Sequence, residues 1–416
     1  MKPVQQTATV RFFLRWVLIC LIVGTCSGAA SAFFLQTLNW VTGFRESHFW
    51  MIAFLPLGGL LIGMLYHYYG KAAAAGNNLL IDTIREPQQI IPFYMAPFVY
   101  VGTMVTHAFG GSAGREGTAL QMSGAIADQL SKPFQLSQTE RKVLIIAAVA
   151  AGFGSVFGVP FAGIVFSLEL VRIGKLKYMA AIPAALSALL ANCVTNFWQT
   201  PHTHYIISKI PAITIKGLFF TMLAGIAFGL CAMLFCKAIK TCTNVFQKNI
   251  SYPPLRPFIG GILVAAAVYT MGTTKYIGLG IPTILQSFET ALPVYDFAVK
   301  ILFTVVTLSA GFKGGEVTPL FFIGALLGNA LFTLVPLPLA LLAGLGFVAV
   351  FGAATNTPVA CTIMAIELFG FDVALYAFIA CIVAYFVSGN HSIYAKQLEG
   401  KSKYQRWMIN KNLDKL

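Results

Sequence analysis

The sequence predicts an all-α polytopic membrane protein built from two repeated halves, with many short, tilted and broken helices. Three observations predict it. Of 416 residues, 57% are hydrophobic and 10% charged, with a mean hydropathy of +0.77; a soluble domain carries about 25% charged residues. Apolar stretches recur from end to end: Val17–Leu35, Met51–Leu65, Phe219–Phe235, Leu255–Val268 and Val373–Val387. Related motifs also return in the same order about two hundred residues apart.

The apolar stretches fix the class. A spanning helix needs about 20 mainly apolar residues. Several of these runs are shorter or are cut by Gly and Pro. Interrupted helices at membrane depth persist only where protein packs them or a polar cavity meets them, which points to a transporter more than to a plain bundle. The net charge of +14 would suggest nucleic acid in a soluble protein. Here the basic residues lie in loops and tails, as topology signals do, and no nucleic-acid partner is expected. Lys396, Lys401, Lys403, Arg406, Lys411 and Lys415 outweigh Glu399 and Asp414 after Asn390, so this tail is expected in the cytoplasm. Lys2, Arg11 and Arg15 put the N-terminus on the same side. The first apolar run outlasts the h-region of a cleavable signal. One transmembrane domain over 1–416 is expected, with halves at about 12–205 and 213–390 and a basic tail at about 391–416. After so short a tail, no nucleotide-binding regulatory (CBS) domain is expected.

The eight cysteines include no CxxC pair; Cys20, Cys193, Cys361 and Cys381 lie in apolar segments and read as small buried hydrophobes. His202 and His204, in a polar connector after Trp198, read as a surface loop, because a metal needs three or four ligands. No cofactor or metal is expected.

The repeat is carried by three motif pairs. Gly76-Asn-Asn-Leu-Leu80, Gly114-Arg-Glu-Gly-Thr118 and Pro160-Phe-Ala-Gly-Ile-Val-Phe-Ser-Leu-Glu169 occupy the first half. Gly278-Leu-Gly-Ile-Pro282, Gly314-Gly-Glu-Val-Thr318 and Pro358-Val-Ala-Cys-Thr-Ile-Met-Ala-Ile-Glu367 answer them in the second. Membrane helices are rich in Gly and Ala, but chance small-residue motifs need share no register. Duplicated halves with interrupted segments at matching places put a transporter's site between the repeats. The motifs alone leave open whether the halves are parallel or inverted.

Glycine-rich starts supply the chemistry. A helix N-terminus leaves four N–H groups unpaired and carries roughly half a positive charge, so it binds anions, and glycine lets them approach. Gly76–Leu80, Gly110–Gly117 and Gly311–Pro319 each precede an expected apolar helix, the last two beginning near Thr118 and Pro319. Each end contributes about 0.3–1 kcal/mol, up to about 2 when partly buried, so several must converge on one dry anion. A fixed lysine there would hold the anion too tightly for turnover; Lys313 is expected at the mouth. A charge at mid-membrane costs at least about 2.5–3.5 kcal/mol, which singles out Glu116. Its carboxylate could take the anion's own place and leave it on protonation. It could equally be a first-turn cap paired with Arg115, since both use the same field.

Gly114-Arg115-Glu116-Gly117 resembles the signature of the CLC chloride channel and transporter family, with Thr118 where that signature has Pro. Gly314-Gly315 with Pro319-Leu-Phe-Phe-Ile-Gly-Ala-Leu-Leu-Gly328 is similar to the family's second-half anion-binding helix, and Ala151–Glu169 and Gly352–Glu367 to two further helices. The likeness runs from about residue 12 to 400. It implies a CLC-type inverted repeat, a homodimer with one pathway per subunit, and Glu116 as external gate and proton-transfer residue. It also implies anion contacts at Asn77, Gly114, Arg115, Gly117, Val317, Thr318 and Tyr394, the last as inner gate.

Three departures from the family pattern resemble its bacterial fluoride/proton antiporter branch. Asn77 stands where a serine is usual, Glu316 stands where an apolar residue is usual with Thr318 after it, and Leu170 replaces the second carboxylate of a proton relay after Glu169. Fluoride holds its water tightly and accepts strong hydrogen bonds, so a donor such as Asn77 suits it. Glu316 would repel an anion if ionised, and burial raises carboxylate pKa values generally; Thr318 could instead hold it aside. Glu316 could also be a first-turn acid facing solvent or a dimer partner. The resemblance thus implies export of fluoride against protons across the bacterial plasma membrane, with Glu316 and Thr318 coupling the two ions. The alternatives are a CLC chloride/proton exchanger or channel, and an intramembrane enzyme using Glu116, Glu169 and Glu367. The enzyme would want a pattern such as HExxH, which the sequence lacks.

Overall fold

A computed structural model describes residues 3–171 and 176–398; the tail residues Glu399, Lys401, Lys403, Arg406, Lys411, Asp414 and Lys415 lie outside them. The described residues form helices in an order that repeats. The first half holds α1 (Pro3–Ser47), α2 (Leu55–Tyr68), α3 (Asn77–Arg85), α4 (Met95–Ala108), α5 (Glu116–Asp128), α6 (Gln138–Phe157), α7 (Pro160–Leu170) and α8 (Leu176–Phe197). The second holds α9 (Ile215–Asn249), α10 (Leu255–Met271), α11 (Ile281–Ser287), α12 (Asp296–Ala310), α13 (Val317–Leu331), α14 (Leu339–Thr355), α15 (Pro358–Phe369) and α16 (Ala374–Val387). Four helical stretches are long and apolar enough to cross a bilayer: Arg11–Ser47, Phe49–Tyr68, Tyr178–Phe197 and Ile215–Asn249. Several others are shorter apolar helices, including Val317–Leu331 and Leu339–Thr355.

Local sequence explains the breaks. Ser137 caps α6 by accepting from Glu140 N–H at 3.3 Å, while Glu140 Oε2 accepts from Ser137 N–H at 2.9 Å, a reciprocal box that satisfies two end donors. The chain leaves α6 through Gly158 and leaves α14 through Asn356, both left-handed. Two residues later Pro160 and Pro358 open α7 and α15, where a missing N–H costs nothing. The repeated Pro-to-Glu motif is therefore one short helix, twice. Its last acids, Glu169 and Glu367, are half-buried, and Leu170 is buried.

The chain forms two compact units, which cross the repeat boundary. Among the described residues, one comprises those within 1–41, 70–101 and 116–203; the other comprises those within 42–69, 102–115 and 204–398. In the first, α5 and α6 are buried nearly all round, α6 packs on α7 and α8, and α3 packs on α5. The second repeats that pattern with α13, α14, α15, α16 and α11. Helices apolar all round belong in a core. Phe153 stacks on Phe166 at 4.3 Å in the first unit, and Phe321 on Phe347 at 3.9 Å in the second.

Some expectations need correcting. Cys20, Cys361 and Cys381 are buried, but Cys193 is exposed on α8, since an apolar helix also has an outer face. His202 is not a free loop residue: its Nε2 lies 2.9 Å from Ser155 O, and its ring covers Gly158. That contact ties the connector to the end of α6.

Candidate functional site

In the first unit, α5 begins at Glu116, two residues before the expected start at Thr118. Glu116, Gly117 and Thr118 are all buried, Glu116 at 1% exposure. The carboxylate thus sits within the first helical turn, where the end field is strongest. Asn77 opens α3 after Gly76, whose φ of +58° and ψ of −133° suit glycine alone. An added Cβ at Gly76 would lie 3.5 Å from Gln121 Nε2, so Gln121 of α5 lies against this turn. Contrary to expectation, α3 is no apolar run. It is a nine-residue amphipathic helix with Leu80, Ile81 and Ile84 buried and Asp82 and Arg85 on its polar side.

In the second unit, Gly114 and Gly315 exchange backbone hydrogen bonds, at 2.6 Å from Gly114 N and 2.7 Å from Gly315 N. This antiparallel bridge holds two glycine-rich loops together, one from each repeat. Gly314 cannot carry a side chain, because a Cβ there would lie 2.6 Å from Ala113 Cβ. The bridge ends the loop at Gly315, so α13 starts at Val317 and not at Pro319. Glu316 is its N-cap residue and half-buried, whereas Val317 and Thr318 are buried. Arg115 is buried at 6% exposure. Lys313 places Nζ 3.9 Å from the Tyr66 ring centroid, so its charge rests on an aromatic face. Tyr394 is buried in the segment after α16, where Ile393 N–H donates to Ala354 O at 3.0 Å.

The geometry thus sets the Gly76 turn that opens α3 against Gln121 of α5 in one unit, and bridges Gly114 to Gly315, next to Glu316, in the other. Sequence reasoning missed Gln121, Arg45, His107 and Lys300, all buried. A lysine inside the apolar run of α12 was a usable signal, since ionisable groups in such runs are costly.

Helical halves in repeated order, glycine-rich turns opening buried helices, and carboxylates at those turns define a multi-pass membrane transporter of ions. A family model described as "Voltage gated chloride channel" matches residues 58–389. The chain belongs to that CLC family. It is 47% identical over 97% of its length, and 90% of the relative's, to the "Chloride/fluoride channel protein" of Pseudomonas syringae pv. tomato. It is 24% identical to the H(+)/Cl(-) exchange transporter ClcA of Klebsiella pneumoniae strain 342, covering 94% of this chain and 88% of that one. A crystal structure of a CLC-type fluoride/proton antiporter matches with TM-score 0.89 and 36% identity, over 95% of this chain and 99% of the other. A slow cyanobacterial Cl-/H+ antiporter shares the fold at TM-score 0.78 and 18% identity, over 95% and 98% of the two chains.

Proposed function

We propose that this protein is a secondary fluoride/proton antiporter that exports fluoride across the bacterial plasma membrane. One observation carries the reading: the likeness to a fluoride/proton antiporter extends over nearly both whole chains at 36% identity. The Asn77, Glu316–Thr318 and Leu170 substitutions within the CLC pattern support it. In this reading Glu116 is gate and proton carrier. Its burial in the first turn of α5 favours that role, since a carboxylate there is held by the helix end and released on protonation. Glu316 and Thr318 couple proton to fluoride; Asn77, Gly114, Arg115, Gly117, Val317 and Tyr394 bind or gate the anion. The protein works as a homodimer with both termini in the cytoplasm, and as a transporter, not an enzyme.

The test is proton movement driven by a fluoride gradient in vesicles holding the purified chain. Wild type should move protons against fluoride, and far less with chloride in its place. Glu116→Gln should stay folded and lose the coupling, because Gln mimics the protonated acid and cannot titrate. Undiminished proton movement in that variant overturns the gate assignment; equal coupling to chloride overturns the fluoride reading.

A further inference from the structure

One face of α12 is polar throughout and entirely buried. Asp296, Lys300, Thr304 and Thr307 follow one another at helical spacing, each at 0% exposure. Each binds a glycine-containing loop or the residues just before one. Asp296 accepts from Tyr276 Oη at 2.6 Å and pairs with Lys275. Lys300 Nζ donates to Tyr276 O at 3.0 Å and Gly278 O at 2.9 Å, and lies 4.9 Å from the Phe322 ring centroid. Thr304 Oγ1 meets Ser112 Oγ at 2.9 Å, and Ser112 N–H donates to Thr307 Oγ1 at 3.2 Å. The two loops are joined directly as well, Gly278 N–H donating to Gly111 O at 3.0 Å. Arg45 closes the cluster: its Nη1 lies 2.6 Å from where a Cβ of Gly278 would stand.

The repeat does not require this charge. Aligning the starts of α4 and α12 sets Met95, Val99, Thr103 and Thr106 opposite the four residues. The hydroxyls return in the first half; the carboxylate and the ammonium do not. Two carbonyls could be met by a neutral donor, so of these contacts the Phe322 ring face alone responds to the charge itself. A buried cation is costly unless something uses its charge. Its carbonyl partners lead into α11, and the loop joined to them runs on to Gly114 and Arg115. Low-dielectric surroundings carry its field further than water would.

We propose that Lys300 is a positioning residue for anion transport: it fixes the Gly110–Arg115 and Tyr276–Gly280 loops on α12, and its charge raises anion affinity there. This rests on the transport reading but not on fluoride being the anion. The experiment measures initial transport rate against anion concentration in vesicles holding wild type, Lys300→Met and Lys300→Arg. Wild type must transport first; failure there sinks the transport reading and is distinct from failure of the Lys300 assignment. Lys300→Met should raise KM at least about tenfold, roughly 1.4 kcal/mol, with kcat within about threefold. Lys300→Arg should bring KM back to within about threefold of wild type. If Lys300→Met is not recovered as a monodisperse protein, Lys300→Gln keeps a donor without the charge and should show the same rise. An unchanged KM in the neutral variant, a fall in kcat alone, or an Arg variant as weak as the neutral one overturns the proposal.

Discussion

At Asn77 the side-chain oxygen Oδ1 is buried without a hydrogen-bond partner. Leaving such an atom unmet costs about 1–3 kcal/mol, and native chains keep such strain where another task needs it. The amide also offers an N–H₂ donor at the α3 start, and Thr318 offers a hydroxyl in the first turn of α13. Backbone ends attract any anion, so discrimination has to come from added donors and from pocket size. Losing one charge-assisted bond costs about 1.5–3 kcal/mol, roughly one to two decades in affinity. Fluoride, which has more dehydration to recover, should lose more than chloride. Asn77→Ala and Thr318→Ala should therefore narrow the fluoride/chloride flux ratio under matched gradients; a ratio unmoved in both removes these residues from selectivity. In the sequence Glu116 stands out as a charge in glycine-rich, otherwise apolar surroundings, whereas Asn77, Glu316 and Thr318 stand out only against the CLC pattern. Gln121 and Arg45 stand out in neither way, because what marks them is a contact with Gly76 or Gly278, and contacts across distant segments leave no trace in one sequence.

Between elements, glycine sets how closely helices pack. In α13 an added Cβ at Gly324 would lie 2.1 Å from Gly346 O, and one at Gly328 would lie 2.0 Å from Leu342 O. Both obstacles are backbone of α14, which cannot swing aside. Lipid gives helices no hydrophobic reason to associate, so close backbone approach carries much of the packing. Gly328→Ala should cost about 1–3 kcal/mol and lower Tm in detergent by about 1–3 °C. Gly43 in α1 has nothing within 4 Å of its added Cβ, and Gly43→Ala should leave Tm unchanged or slightly raised. Equal Tm for the Gly328 variant and wild type would refute the close-packing account. Apolar runs revealed where helices exist, and Pro160 and Pro358 where two of them start. The starts at Glu116 and Val317 escaped because the Gly114–Gly315 bridge that ends the loops pairs segments from opposite halves.

For the whole molecule, the repeat in the sequence and the packing in space divide the chain differently. The motifs mark two halves, yet α2 of the first half belongs to the unit that contains the second. Its packing there is intimate. A Cβ on Gly59 would lie 2.4 Å from Pro257 O, and one on Gly261 would lie 2.7 Å from Pro56 Cα. Helices α2 and α10 are thus fitted backbone to backbone, and the Gly114 loop of the first half is bridged to Gly315. A half made alone would leave these surfaces bare, with the glycine grooves of α2 and α10 empty and the loop amides unpaired, each unmet buried group costing about 1–3 kcal/mol. Cutting the chain in the extended connector 206–213, which has no helix of its own, separates the halves without breaking an element. Expressed singly, neither piece should give a monodisperse, protease-resistant species in detergent. Expressed together, they should co-purify and restore anion flux in vesicles to within about tenfold of the intact chain, since the close α2–α10 fit and the Gly114–Gly315 bridge still join the pieces. A first-half fragment that is compact and protease-resistant on its own would show that the repeats fold independently, and that the sharing of α2 is incidental to assembly.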